Sequence, residues 1–365
     1  MELKNKHVLL ISNEPWGDIW FSKHNYAFEL SKKNTVYFVN PAPGWNFFNI
    51  FKRNIKTENY TEQLIVLNYF NYLPAFNIFL FRLNNYLVSG KIRKYFIKKG
   101  IKKIVFWSFD PCRLYDPKRL NASLSIFHSM DKYLFSHFGE RYIYNNVDHI
   151  FCVSSSFIND FLKYNKSVLH IPHGISSDEF VVDENELLKI DIKQKHYGLY
   201  IGNIDTRLDF ELIKEIVGHF VNIEFIFIGK ISDEINDNDR AIFDGKTYEN
   251  ISFIGPRHFK ELKKYIFNSD FCFAFMYMKM SGNEISHHKI FHYLALGKPV
   301  FCNKFTEYKQ IDHLLYTGNT FEELKEKMES FLQKAEDPSL MQDRISFAEK
   351  NSFENIFKTI EEYIK

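Results

Sequence analysis

Short apolar runs alternate along this chain with longer stretches in which apolar residues return every three or four positions. Residues 7–13, 35–40, 64–68, 103–108, 123–129, 149–155 and 168–172 read as strands, and 21–32, 78–99, 135–146 and 157–164 as helices between several of them. A second series of strands follows at 198–202, 223–229, 251–255, 271–276 and 299–303, again with helical periodicity between them. The stretch 173–195 is polar and acidic and has no strong period. Strand–helix alternation predicts parallel sheets covered by helices on both faces. The expected architecture is therefore α/β, with two Rossmann-like domains at 1–172 and 197–348, a linker at 173–196, and a closing segment at 349–365. Joined in this way, the carboxyl ends of the two sheets are expected to face each other across a cleft. Ligands of open α/β sheets bind at those ends, so functional residues should follow the strands.

The length of 365 residues fits two domains, and 45% hydrophobic residues supply two cores. Cys112, Cys152, Cys272 and Cys302 are far apart and form no CxxC pair, and three of them lie in apolar runs. They read as thiols in a reducing compartment. The run Val8-Leu9-Leu10-Ile11 is too short for a signal-peptide core, and no run reaches the length of a transmembrane helix. A cytoplasmic location is expected.

The net charge of +2 conceals an asymmetry. Residues 1–172 hold 23 Lys and Arg against 12 Asp and Glu, and residues 51–103 alone hold 11 against 2. A basic first half attracts an anionic partner. In the 69–103 region an aromatic stretch, Tyr69 to Phe81, precedes the basic segment Lys91 to Lys99. That pairing suits peripheral contact with an anionic membrane better than base reading, and no nucleic acid is expected. An ordinary amphipathic helix with a solvated lysine face reads equally well.

Two constellations carry candidate chemistry. In Gly202-Asn203-Ile204-Asp205-Thr206-Arg207-Leu208-Asp209, Thr206 and Asp209 have capping-box spacing, which predicts a helix from Arg207. A glycine turn into a helix start offers N–H groups to an anion, and Arg207 adds a charge able to grip two phosphate oxygens. The second constellation runs from Ser281 to Pro299. Ile290, Phe291, Leu294 and Ala295 form its buried stripe, while Ser286, His287, His288 and Lys289 occupy its first turn. Glu284, His288 and His292 fall on one side of the helix end. A carboxylate there suits sugar hydroxyls, and Lys289 or a histidine suits phosphate. Two histidines four apart also suit a metal, but no third ligand is evident and none is expected.

These residues resemble the GT-B bacterial glycosyltransferases of family 4 and their near relatives, which build surface polysaccharides. That family carries a Glu-x7-Glu motif ahead of and within a helix reading Glu-Tyr-Leu-Ala-x-Gly-Lys-Pro-Val. Glu284 matches the first glutamate, and His292-Tyr293-Leu294-Ala295-Leu296-Gly297-Lys298-Pro299-Val300 matches the rest with histidine in place of the second. The likeness extends over nearly the whole chain. It includes Trp20 to Ala27, Val36 to Pro41, Phe127-His128-Ser129-Met130-Asp131-Lys132-Tyr133, Ile171-Pro172-His173-Gly174-Ile175 and Phe253-Ile254-Gly255-Pro256-Arg257. The resemblance implies that Glu284 meets the donor sugar, position 292 the nucleotide ribose, and the loop bearing Arg257 the nucleobase. It places His173 and Gly174 at the domain junction and implies that the last helix, 353–364, crosses back onto the first domain.

Glycosyl transfer leaves negative charge on the departing diphosphate, which Arg207, Lys289 and helix starts would stabilise. An inverting reaction needs a base from the first domain; Asp131 is the first candidate, with His24 and Asp18 behind it. In a retaining reaction Asp131 would only orient the acceptor. Asp110-Pro111 reads as a turn or an acceptor contact. The expected partners are a nucleotide-sugar donor and a glycan or lipid-linked acceptor, with no cofactor. A sugar-nucleotide epimerase and a non-catalytic binding relative are the alternatives, the latter suggested by His292.

Overall fold

The computed structural model describes residues 2–18, 20–50, 55–131, 138–180, 196–278 and 286–365. The chain divides into two compact units, residues 1–172 with 356–365, and residues 173–355.

The first unit holds strands β1 (His7–Ile11), β2 (Thr35–Val39), β3 (Lys56–Asn59), β4 (Leu64–Asn68), β5 (Ile104–Ser108), β6 (Ala122–Ser129), β7 (His149–Cys152) and β8 (Val168–His170). They lie in the order β3-β4-β2-β1-β5-β6-β7-β8. Every pair is parallel except β3 with β4. β1 pairs with β2 and β5 in a register that sets Leu9 opposite Tyr37 and Phe106. Strands buried on both faces read as continuous apolar runs, which is why they were legible. One face packs Leu9, Tyr37, Phe106 and Phe127 into a single core. On the other, Trp107 and His128 pack against Tyr26 of the helix Ser22–Ser31, and Phe151 packs against both of them. Most observed strands are shorter than the apolar runs, because pairing stops where the loops peel away; β4 matches its run, and β6 and the strand His196–Ile201 begin earlier than theirs. β3 is wholly exposed and polar (Lys-Thr-Glu-Asn), so it carries no apolar signal; charged residues on an edge strand discourage further pairing. The helix expected at 157–164 is a 3-10 turn at Ser155–Phe157 followed by one α turn at Ile158–Phe161.

The second unit is a six-stranded sheet, β9 (His196–Ile201), β10 (Ile223–Ile228), β11 (Ile251–Phe253), β12 (Phe271–Ala274), β13 (Val300–Cys302) and β14 (Tyr316–Thr317). Its order is β11-β10-β9-β12-β13-β14 and all pairs are parallel. The chain starts in the middle, winds outward to β11, then restarts on the other side at β12. That reversal between β9 and β12 opens a crevice at their carboxyl ends. β14 has two residues and was too short to register as a run. All four cysteines are free, three of them buried in β7, β12 and β13.

The last helix, Phe353–Tyr363, starts in the second unit and joins the first from residue 356. There Phe357 packs 6.1 Å from the Tyr26 ring, and Ser167 Oγ donates to the Tyr363 hydroxyl at 3.0 Å.

At the centre of the second sheet, Gly198 lies against the ring of Phe271: a Cβ there would sit 2.4 Å from Cε2. Phe271 is fully buried, so the ring has nowhere to retreat. Gly198→Ala should therefore cost about 1–3 kcal/mol, read as a lower urea midpoint at unchanged slope.

Candidate functional site

The crevice of the second unit is built by loops zipped together beyond the strand ends. Gly202 N–H donates to Ile228 O at 2.9 Å, Ile204 N–H to Lys230 O at 2.9 Å, and Ser232 N–H to Ile204 O at 2.8 Å. The two loops touch backbone to backbone: a Cβ on Gly229 would lie 1.8 Å from Gly202 O. On the far side of β9, pairing with β12 ends at Leu199 opposite Cys272. The strands part, and Ile201 N–H is taken by the Tyr293 hydroxyl at 2.9 Å. A buried N–H without a partner is costly, so Tyr293 both closes the sheet and seats the helix His288–Ala295 against β9. That helix stops as expected. Gly297 (φ 68°) follows it, with Gly297 N–H to Leu294 O and Lys298 N–H to Tyr293 O, the double bond of a Schellman motif.

The glycine turn departs from expectation. The helix begins at Phe210, three residues after Arg207, and its N-cap is Asp209, whose carboxylate accepts from Leu212 N–H at 3.1 Å. Thr206 is not the cap. Phe275 O and Asp205 hold the intervening turn, accepting from Asp209 N–H and Leu208 N–H, so the residues leading into the helix are drawn onto the end of β12. This helix start already carries a carboxylate, and the amides of Gly202, Ile204, Arg207, Leu208 and Asp209 are all spent within the protein. It is not an open anion site. Arg207 sits in the turn, about half exposed, in a two-pronged contact with Asp205, Nε to Oδ1 at 2.9 Å and Nη2 to Oδ2 at 2.6 Å. Partial burial opposes ionisation of Asp205, but the Arg207 hydrogen bonds prevail and hold its carboxyl below the usual range.

A second cation comes from the helix that follows β12. Lys289 Nζ donates to the Tyr200 hydroxyl at 2.6 Å and lies 3.9 Å from the centroid of that ring. The space it occupies is the one a Gly202 side chain would need: Nζ would be 3.0 Å from a Cβ there. Desolvation first, and then the charge of Arg207, push the Lys289 ammonium down to about 7.

Around Lys289 the histidines form a structural set. His173 Nε2 contacts Ser286 O at 3.2 Å, His288 Nε2 contacts Gly174 O at 3.3 Å, and His292 Nε2 meets His288 Nδ1 at 3.3 Å. His173 and Gly174, expected at a junction, thus belong to the second unit and anchor the start of the Lys289 helix. Only His288 and Lys289 lie in that helix's first turn; His287 is its N-cap and Ser286 precedes it. Burial, aided by neighbouring positive groups, pushes His287 down to about 3 and His288 well below its ordinary value. They are neutral at physiological pH, so a phosphate would meet Lys289 and not these histidines. Tyr308, absent from the sequence reading, ties the segment down: its hydroxyl accepts from His287 N–H and donates to His287 O. His287 Nε2 is buried with no partner among the described residues.

Next to Arg207 lies a pocket of about 420 Å³, lined among others by Asn203, Asp205, Thr206, Lys230 and Ser232. Arg257, after β11, is exposed and donates to Pro256 O at 3.0 Å. Glu284 and Gly282 fall outside the described residues.

In the first unit Asp131 is exposed, two residues beyond Ser129 at the end of β6. Asp18 is exposed as well. His24 is different. Its Nδ1 accepts from Phe21 N–H at 3.1 Å and its Nε2 donates to Pro15 O at 3.0 Å. The ring is fully buried and stacked on Phe38, and desolvation lowers its basicity. Both nitrogens are committed, so His24 is a structural histidine and not a base. Asp110 is the turn it resembled: buried, it accepts from Cys112 N–H at 2.7 Å and Arg113 Nε at 2.5 Å.

No protein-family model matches the sequence, and no curated protein matches it. Solved structures do match it from end to end. Sucrose-phosphate synthase from Thermosynechococcus elongatus gives a TM-score of 0.68 at 14% identity, over 98% of each chain. HepE from Anabaena, in complex with UDP, gives 0.69 at 12% identity, over 98% of this chain and 99% of its own. A glycosyltransferase from Rickettsia africae gives 0.68 at 14% identity, over 98% of each. The chain has the GT-B fold. Within this GT-B chain, the crevice bearing Gly202, Arg207 and Lys289 stands at the switch point of the second α/β unit.

The Lys289 environment is directly testable. Competitive acylation should find its amine titrating near pH 7, well below an ordinary lysine. Arg207→Ala should raise that value, because it removes a positive neighbour and releases Asp205. A Lys289 that titrates near its ordinary value would mean the ammonium is solvated.

Proposed function

We propose that this protein is a glycosyltransferase that moves a sugar from a nucleoside diphosphate to a glycan or lipid-linked acceptor. The activity fits the family 4 type that serves cell-envelope polysaccharide assembly. The observation that carries the reading is the desolvated Lys289 ammonium beside Arg207 at the switch point of the second unit. A diphosphate arriving there restores the charge that burial has made costly, and the interaction strengthens as the leaving group gains charge. The binding of UDP by HepE, of the same fold, supports a sugar nucleotide as donor.

In this reading Lys289 and Arg207 hold the diphosphate, and Gly202 leaves the clearance that Lys289 occupies. Arg257 lies toward the base. Ser286 and His287, whose Nε2 has no partner among the described residues, serve hydroxyl groups, with Glu284 on the donor sugar, while His288 and His292 position that segment. The two cations supply the neutralisation that a metal would otherwise provide, so none is required. Asp131 is the group in the first unit that takes the acceptor proton in an inverting reaction, or orients the acceptor in a retaining one. Its exposure leaves it accessible, as does that of Asp18.

A lipid-linked acceptor at the cytoplasmic membrane face is supported by the surface of the first unit. Phe48 and Phe79 are 70% exposed and Phe76 82%, with the Trp45 ring 6.4 Å from Phe76. Between Glu62 and Asp110 the chain has no acidic residue and eight Lys and Arg. Exposed aromatics beside unopposed cations suit an anionic bilayer surface. Among the described residues no helix is long and apolar enough to cross a membrane. An epimerase would have no use for such a surface, which favours transfer.

Titration calorimetry with UDP and the other nucleoside diphosphates tests the donor site. Arg207→Ala and Lys289→Met should each weaken binding by about 1–3 kcal/mol, the scale of a lost charged hydrogen bond. Because bound diphosphate favours protonated Lys289, affinity should fall as pH rises from 7 to 9, and Lys289→Met should flatten that slope. Unchanged affinity in both folded variants removes these cations from the site. Asp131→Asn should lower sugar transfer while leaving the nucleotide dissociation constant unchanged; lost nucleotide binding would instead assign Asp131 to the donor side.

A further inference from the structure

We infer that the first unit carries a pocket of its own for a neutral saccharide, lined by Phe79, Arg82, Tyr115, Asp116, Phe138 and Tyr142. The pocket encloses about 420 Å³, within the roughly 300–1,000 Å³ of small-molecule sites. All of its lining comes from residues 79–142, so it belongs to the first unit alone.

Its chemistry is that of a sugar site. Tyr115 stands among aromatic rings, 5.7 Å from Phe138 and 5.1 Å from Tyr142, and Phe81 stacks on it at 5.6 Å. Flat rings accept the C–H faces of a pyranose, which are its apolar surfaces. The hydroxyls at a sugar's rim need planar partners that donate or accept in pairs. Arg82, whose guanidinium lies 4.9 Å from the Phe138 centroid, and Asp116, whose Oδ1 accepts from Arg119 N–H at 3.0 Å, supply one of each. The two charges balance. A phosphorylated ligand would meet the Asp116 carboxylate, and an acyl chain would strand both polar groups.

The pocket is also built with some care for position. Leu114 holds φ 50°, a left-handed conformation that a branched residue adopts only under constraint. The constraint is Asn85, a buried residue of the helix Ile78–Lys98, whose Oδ1 accepts from Leu114 N–H at 2.7 Å. The next residue is Tyr115. On the other wall, Gly139 allows the helix Phe138–Asn146 to seat on the loop after β5, where a Cβ would lie 2.8 Å from Pro111 O. That contact brings Phe138 and Tyr142 up to Tyr115.

Phe79 belongs both to this pocket and to the exposed aromatic surface. A saccharide held here next to that surface is what a lipid-linked glycan presents. Its role as part of the acceptor rests on the proposed glycosyl transfer; its binding does not.

Saturation-transfer NMR and calorimetry on the full chain would use glucose, galactose, N-acetylglucosamine, lactose, cellobiose and diacetylchitobiose, with and without UDP. At least one should bind with saturation concentrated on the C–H protons of one ring face. Tyr142→Ala and Arg82→Gln should each weaken it about tenfold while leaving UDP affinity unchanged. No binding by any member, or binding that both folded variants leave intact, overturns the pocket. Binding of sugar phosphates alone overturns its neutral specificity. Saccharide binding with no affinity for any nucleoside diphosphate would sustain the pocket and sink the donor site instead.

Discussion

An ammonium group held against an aromatic face and a phenol hydroxyl, away from bulk water, organises the second half of this molecule. Lys289 reaches Tyr200 only because three other things are true. β12 parts from β9 after Leu199, Gly202 has no side chain, and Tyr293 fills the hydrogen-bonding gap at Ile201. Remove any one and the helix bearing Lys289 loses either its seat or its clearance. The same parting of strands creates the crevice, so the position of the charge and the position of the opening have one cause.

Charge around that point is sorted by burial and pairing. Desolvation keeps His287 and His288 neutral, while Arg207 is tied to Asp205. The histidines thus act as hydrogen-bonding struts, holding the helix start to Ser286 and Gly174. Lys289 remains poised between charged and neutral, which makes it responsive to an arriving anion where a solvated lysine would be indifferent. Such a response suits a leaving group whose charge grows during the proposed transfer.

The first unit shows the opposite use of aromatic residues. Inside, Tyr26, Trp107, His128 and Phe151 pack as core. Outside, Phe48, Phe76 and Phe79 stand in solvent beside a run free of acidic residues, and Phe138 and Tyr142 line a pocket backed by the buried Tyr115. Phenylalanine-rich composition alone does not separate these roles; only exposure does.

The architecture was largely legible in the sequence because doubly covered parallel strands such as Val8 to Ile11 or Ile223 to Ile228 are apolar throughout, and their helices carry a clear period. Where an element lacks that signature it was missed: β3 is polar because it is an edge, and β14 is only two residues long. The residues at the strand ends, Gly202, Arg207 and Lys289, were found by their order along the chain, since the sheet places such loops at one edge. Their partners were not. Local spacing favoured Thr206 as a cap, but contacts from Phe275, remote in sequence, moved the helix start to Asp209. His24, a secondary candidate base in the sequence, has its ring closed between Phe21 and Pro15. Periodicity and composition, being local, determined the elements and their order. Which charge is buried, which histidine is neutral and which amide is spent depend on neighbours distant along the chain, and only the tertiary structure decided them.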